Sequence, residues 1–386
     1  LLRRSWSWFE REAPAQARRE LEAFVEDPAQ RFWLEDWALY AAIKERSGGR
    51  SWTRWDRELC TRQEPALATA ARELAGEVAH QRYLQFLFFR QWAELRREAS
   101  ARELTLLGDV PFYVAPDSAD VWARRELFRI DERGRPTHVA GVPPDYFSKT
   151  GQLWGNPVFR WDRLAEEGYA WWVERIRANL RLVGGLRLDH FRGFVAFWEV
   201  EAGAENAAGG HWVEGPGKAL FDALRRELGE LPLVAEDLGL ITPEVESLRD
   251  EVGLPGMHVL QFAFSDPDSK HLPEHHAPLS VVYTGTHDND TLRGWFAGLE
   301  EAERQRVLAC AGAEADAVVP KLIEVAYRSP AGLALVPLQD LLDLGSEARM
   351  NRPGTTVGNW RWRVRGEALT PRLAARLREL AVRHER

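Results

Sequence analysis

Apolar positions change period part-way along the chain. Up to about residue 100 they recur at three- and four-residue steps, the spacing of one face of an α-helix. Trp33, Leu34, Trp37, Ala38, Tyr40 and Ala41 follow it, and Gly48-Gly49 closes that run. A second amphipathic stretch covers about residues 65–99. From Leu104 onward, short apolar runs with the character of strands alternate with helical segments. The strand-like runs are 104–114, 186–191, 231–238, 257–264, 281–286 and 333–338, and the helical candidates are 164–183, 217–229, 243–252, 300–328 and 370–385. Such alternation predicts parallel strands, in either an open doubly wound sheet or a closed barrel. No G-x-G-x-x-G follows a strand, so a dinucleotide-binding unit has no support. Six strand-like runs stand where a barrel needs eight. Because the chain also opens on Leu1 inside a helical pattern, an N-terminal part is expected to be missing. The 141–160 segment is rich in Pro and Gly and is expected to be a long ordered loop, the kind that usually carries function.

Composition narrows the function classes. The 386 residues are 45% hydrophobic and 28% charged, enough to build a large core. Acidic residues outnumber basic ones, 59 to 51, and a net charge of −8 argues against nucleic-acid binding. Only five of the basic residues are lysine. Cys60 and Cys310 form no C-x-x-C pair, which excludes a zinc ribbon or disulfide framework. No apolar run approaches the ~20 residues of a membrane span, and no signal-peptide pattern opens the chain. A cytoplasmic protein is expected.

The candidate chemistry lies at the C-terminal ends of the strands. In Leu186-Arg187-Leu188-Asp189 the period of two puts the leucines on one face and Arg187 with Asp189 on the other. Glu236 closes the run ending Val234-Ala235, and Asp288 follows 281–286 beside His287. One acidic residue after a strand is more often a helix cap or a turn residue. Three at the same ends of parallel strands, where barrel active sites lie, favour function. Two carboxyls about 5–5.5 Å apart, one nucleophilic and one a general acid, are the equipment of retaining glycoside chemistry. Aromatics nearby (Tyr113, Tyr146, Phe147, Trp154, Phe194, Phe197, Trp198) offer faces for sugar rings, and Trp154 beside Gln152 is the best placed. His271, His275 and His276 lack metal-ligand spacing and are expected in a polar surface loop. His211-Trp212-Val213-Glu214, bracketed by glycines, is expected to be a loop at the site.

These segments resemble a known family. Arg-Leu-Asp-His-Phe-Arg-Gly (187–193), Ala-Glu-Asp-Leu-Gly (235–239) and Gly-Thr-His-Asp-Asn-Asp-Thr (285–291) are similar to those of the 4-α-glucanotransferases of glycoside hydrolase family 77. So are Gly-Asp-Val-Pro-Phe-Tyr-Val (108–114), Pro-Pro-Asp-Tyr-Phe-Ser (143–148), Gly-Gln-Leu-Trp-Gly-Asn-Pro (151–157), and Met350 to Thr355 with Asn359-Trp360. The resemblance implies an α/β fold: a (β/α)8 TIM barrel of the amylase superfamily with inserted helical subdomains, here lacking its N-terminal strands. It divides the chain into a mainly helical part, 1–100, and a catalytic barrel portion, 101–386, which includes the active-site loop 141–160. The substrates would be α-1,4-glucans and maltooligosaccharides, with no cofactor, metal, nucleic acid or membrane involved. Asp189 would be the nucleophile, Glu236 the general acid/base and Asp288 the transition-state stabiliser. Arg187, His287, Asp109, Asn351, Asp145, Tyr146, Gln152 and Trp154 would bind or orient the sugar. An amylase-type hydrolase, a non-catalytic glucan-binding protein and a metal-dependent hydrolase are the rival readings.

Overall fold

The computed structural model describes residues 1–144 and 148–386. The chain divides into two compact units, residues 1–233 with 242–252, and residues 234–241 with 253–386.

The first unit begins with helices α1 (Leu2–Glu12), α2 (Ala15–Glu26), α3 (Leu34–Arg46), α4 (Arg57–Cys60), α5 (Glu64–Glu73) and α6 (Ala75–Ser100). Helix α3 carries Glu35 and Asp36 in its first turn and Lys44 and Arg46 in its last, the charge order that the helix dipole favours. The long amphipathic run expected over 65–99 is two helices that part at Leu74. Phe9 and Ala13 at the end of α1 pack on Tyr83 and Phe86 of α6.

Strand β1 (Leu107–Val110) follows, then α7 (Ala119–Ala123), whose first turn is capped by the Ser118 hydroxyl accepting from Val121 N–H. Next come β2 (His138–Val142), β3 (Gln152–Pro157), α8 (Trp161–Glu166), α9 (Ala170–Leu180), β4 (Gly185–Leu188), β5 (Ala196–Glu201), β6 (His211–Glu214), α10 (Gly217–Leu228), β7 (Leu233–Ala235) and α11 (Pro243–Glu251). Strands β1 and β4 pair in parallel, with Asp109 opposite Arg187. Strands β3-β2-β5-β6 form a separate antiparallel sheet.

That sheet departs from expectation, and its β5 lies outside all six strand-like runs. The 141–160 segment, expected to be loop throughout, contains the end of β2 and all of β3, and the 211–214 segment is β6 rather than a loop. Glycine here serves the pairing. Gly151 takes φ +67° to turn the chain into β3, and a Cβ there would lie 2.3 Å from Val142 O. Elsewhere in the first unit, Phe128, Phe159, Trp171, Trp172, Phe112 and Phe194 form a buried aromatic core.

The second unit is built on β8 (Gly256–Val259), β9 (Ser280–Tyr283) and β10 (Leu333–Leu335), a parallel sheet of order β10-β9-β8. Its helices are α12 (Leu292–Ala297), α13 (Glu301–Ala311), α14 (Val318–Arg328), α15 (Leu338–Leu341) and α16 (Pro371–Arg383). The helical run 300–328 is broken by Gly312 in the left-handed region, which ends α13. Leu322, Ile323, Phe264, Leu292 and Phe296 make the core under these helices. Each of the six strand-like runs of the sequence overlaps a strand shorter than the run, and β4, β8 and β9 begin one residue before theirs. Among the described residues no helix is long and apolar enough to cross a membrane.

Candidate active site

In the first unit the β1–β4 register positions Asp109, Arg187 and Asp189. Because Arg187 lies between two leucines in β4, Leu186 and Leu188 enter the core and the guanidinium projects from the opposite face. Its Nη2 donates to Asp109 Oδ2 at 2.7 Å and to Asp189 Oδ1 at 3.0 Å, and its Nε donates to Asp109 Oδ2 at 3.1 Å. The arginine side chain is 11% exposed, while the two carboxylates are 43% and 42% exposed. A nearly buried cation therefore holds two acids that face outward. Asp189 comes one residue past β4 and donates its N–H to Val110 O at 3.1 Å, so the parallel ladder itself fixes its position.

His190 turns the chain at φ +52° immediately after Asp189. Burial pushes its imidazole down to about 4, helped by the charge of Arg192, so the ring is neutral near pH 7. Trp154 stands edge-on to that ring with centroids 4.9 Å apart, and Tyr113 lies 6.1 Å from Trp154. The indole Nε1 donates to Gln152 Oε1 at 3.2 Å, so β3 presents Gln152 and Trp154 together. Trp154 is 39% exposed, which leaves much of the ring for another surface. Burial, reinforced by the charge of Glu199, pushes the Tyr113 phenol up and keeps it protonated.

The second unit holds Glu236, His287, Asp288 and Asn351. Glu236 is one residue beyond β7, and its Oε1 accepts from Leu238 N–H at 3.1 Å. The adjacent Asp237 is buried and accepts from Met257 N–H at 2.7 Å, which ties this turn to the start of β8. Asp288 lies on the loop after β9. His287 Nε2 is 3.5 Å from Asp288 Oδ2, and Asn351 Nδ2 donates to Asp288 Oδ1 at 2.6 Å. Asn351 N–H donates to His287 O at 3.0 Å, and Arg349 donates to Asp288 O. Both ends of the loop are tied to one buried acid. Thr284 Oγ1 donates to Asp340 Oδ2 at 2.7 Å, and Leu292 N–H donates to Asp340 Oδ1 at 2.8 Å. Burial pushes the Asp340 carboxyl up to about 6 against those hydrogen bonds.

The structure thus brings together Asp109, Arg187 and Asp189 in one group, Gln152 and Trp154 in a second, and His287, Asp288 and Asn351 in a third. Asp145 and Tyr146 lie outside the described residues. Sequence reasoning passed over His190, Arg349, Asp340 and the ring of Trp360, which lies 5.1 Å from that of His287. The signal for Asp340 was absent, because its partners are 48 and 56 residues away. His271 and His276 are corrected: they are buried rather than in a polar surface loop, and His258 stacks on His276 at 4.2 Å. Burial, helped by the like charges of neighbouring imidazoles and Lys270, favours the neutral forms of His258 and His271. Among the described residues no group of three or more His, Cys, Asp or Glu side chains could hold a metal ion.

Comparison with known proteins bears on what such an arrangement does. The glycoside hydrolase family 77 model, described as 4-alpha-glucanotransferase, matches residues 1–370. A 4-alpha-glucanotransferase of Thermus thermophilus is 49% identical over 400 residues, covering 99% of this chain and 80% of that protein. One from Synechocystis sp. is 48% identical over 378 residues, covering 95% and 75%. Among solved structures, an amylomaltase from Streptococcus agalactiae in complex with acarbose superposes with a TM-score of 0.95 at 34% identity, over 100% of this chain and 78% of that one. The fold is accordingly the mixed α/β fold of an amylomaltase. With the family model spanning nearly the whole sequence and close to half of all residues shared with the Thermus protein, the chain belongs to the 4-alpha-glucanotransferases of glycoside hydrolase family 77.

Proposed function

We propose that this chain transfers a segment of an α-1,4-glucan to the 4-hydroxyl of an acceptor glucan or glucose, with retention of configuration. The observation that carries this is the Asp109–Arg187–Asp189 network at the ends of two parallel strands, which holds a carboxylate in a fixed, outward-facing position. In the first step Asp189 attacks the anomeric carbon, and Glu236 gives its proton to the glycosidic oxygen. The shortened glucan leaves with that proton, and a covalent glucosyl-enzyme remains. In the second step Glu236 removes the proton from an incoming 4-hydroxyl, whose oxygen displaces Asp189. Two inversions give retention, and the reaction closes without a metal or organic cofactor. Asp288, held by Asn351 and beside His287, would stabilise the positive charge on the sugar ring. Gln152 and Trp154, with Asp145 and Tyr146, would belong to the loop that grips donor and acceptor glucan, and stacking there favours a sugar over water.

The same proposal extends to architecture. The parallel pairs β1–β4 and β8-β9-β10, with the candidate residues at their C-terminal ends, support membership of a (β/α)8 barrel. In it, residues 1–100 would be an inserted helical subdomain and 101–386 the catalytic portion. A cytoplasmic location belongs to the same proposal, and cell fractionation checks it.

The test is product analysis from maltotriose. Transfer yields glucose together with maltopentaose and longer chains, while hydrolysis yields only shorter chains and new reducing ends. Asp189→Asn and Glu236→Gln should each lower transfer by on the order of 10³ or more with unfolding unchanged. Substantial turnover by either variant would remove its assigned role.

A further inference from the structure

Residues 349–360 form a closed loop whose two ends meet. Trp360 N–H donates to Met350 O at 2.8 Å, and the interior is cross-braced by Asn359, whose Oδ1 accepts from Arg352 N–H at 3.1 Å. The first arm of this loop holds the His287-Asp288 dipeptide through Arg349 and Asn351, by hydrogen bonds to both carbonyls and to the Asp288 carboxylate. The second arm lays an indole against the His287 imidazole, with ring centroids 5.1 Å apart and planes inclined at 40°.

Two further features of Trp360 need a cause. The side chain is 59% exposed, so it adds little to any core. Its backbone also lies at φ +60°, a region that a bulky L-residue occupies only at a cost. A tryptophan that is strained, exposed and in ring contact with His287 is poorly explained by folding alone. Among the described residues the polar contact of the His287 ring is its Nε2 at 3.5 Å from Asp288 Oδ2, longer than a direct hydrogen bond and so a loose hold on the ring's rotation.

We propose that Trp360 is a positioning residue for His287. The indole closes off the rotation that would swing the imidazole away from Asp288, and the loop thereby clamps the dipeptide from both sides. The proposal rests on the reading of His287 and Asp288 as part of the transfer site. It concerns the ring of Trp360, which acts through His287.

The experiment compares Trp360→Gly, Trp360→Phe, His287→Ala and the double variant His287→Ala/Trp360→Gly in the full chain. Glycine accepts the left-handed backbone, and Trp360→Phe, which keeps Cβ and a ring, separates loss of the ring from loosening of the loop. Trp360→Gly should lower kcat for maltotriose disproportionation about tenfold or more, with KM changed less than twofold, and Trp360→Phe should recover most of that loss. In the double variant the glycine should cost nothing beyond His287→Ala, because the ring has nothing left to position. The His287 Cε1–H resonance, shifted by the indole ring current in the parent, should move in Trp360→Gly. A Trp360→Gly variant with parent kcat, or one whose loss adds fully to that of His287→Ala, would overturn the positioning role. If His287→Ala itself leaves transfer intact, it is the reading of the site that fails, a result distinct from either.

Discussion

Arg187 is the residue on which the candidate nucleophile depends, and replacing it with lysine tests that dependence with the charge retained. Among the described residues the guanidinium makes three hydrogen bonds to two carboxylates, and a single nitrogen, Nη2, is shared between Asp109 Oδ2 at 2.7 Å and Asp189 Oδ1 at 3.0 Å. An ammonium on a shorter, unforked stem cannot reproduce that geometry, so Arg187→Lys should settle on one partner and release the other. A hydrogen bond to a charged group contributes ~1.5–3 kcal/mol. Because the carboxylates are 42–43% exposed, solvent screening places this case at the lower end. If that energy serves to hold Asp189 for attack, its loss lowers kcat/KM by about tenfold, and by roughly 150-fold at the upper end of the range. Initial rates of glucose release from maltotriose, with chromatography of the longer products, measure this directly. Thermal unfolding of the same sample should fall by only a few degrees. If Arg187→Lys transferred within twofold of the parent while remaining folded, the arginine would not be what orients the nucleophile.

Further outcomes follow from other contacts. Trp154→Ala should raise the acceptor KM about tenfold with kcat changed only a few-fold, because stacking on an aromatic ring contributes ~0.5–1.5 kcal/mol beyond the area it covers; an unchanged acceptor KM would remove the platform role. Asp340 carries a carboxyl raised by burial from 3.8 to about 6, so the stability it contributes is full below pH 3.8 and is lost as pH rises through 6, a change on the order of 3 kcal/mol. Asp340→Asn should flatten the pH dependence of chemical unfolding over that window. His258, lowered to about 3, and His271, lowered to about 4, act with the opposite sign. Both lose their charged forms chiefly to burial, with His276 and Lys270 adding like charge, so the stability they contribute is present above pH 6.5 and declines below it. Each group costs up to ~1.4 kcal/mol per pH unit below 6.5. His258→Gln should lessen the acid-induced fall in the unfolding midpoint between pH 6.5 and 4, as followed by calorimetry.

The sequence by itself determined where most elements lie and which residue types end the parallel strands. Hydrophobic period is a local property, so the helices of the first hundred residues and the six strand-like runs could be read from spacing alone. The alternation in Leu186-Arg187-Leu188-Asp189 already set which side chains share a face. Antiparallel strands β2, β3, β5 and β6 escaped because β2 reaches β5 only across about 60 residues, while the glycine in β2, the Gly and Pro in β3 and the glycines flanking β6 speak for loops. Only the tertiary structure decided that Arg187 spans two carboxylates, since Asp109 reaches it through the register of β1 on β4, 78 residues apart in sequence. The same holds for His258 beside His276, for Asp340 beneath the Asp288 loop, and for Trp360 against His287. Each is a contact whose energy depends on desolvation and on direction, and neither exists until distant segments have packed.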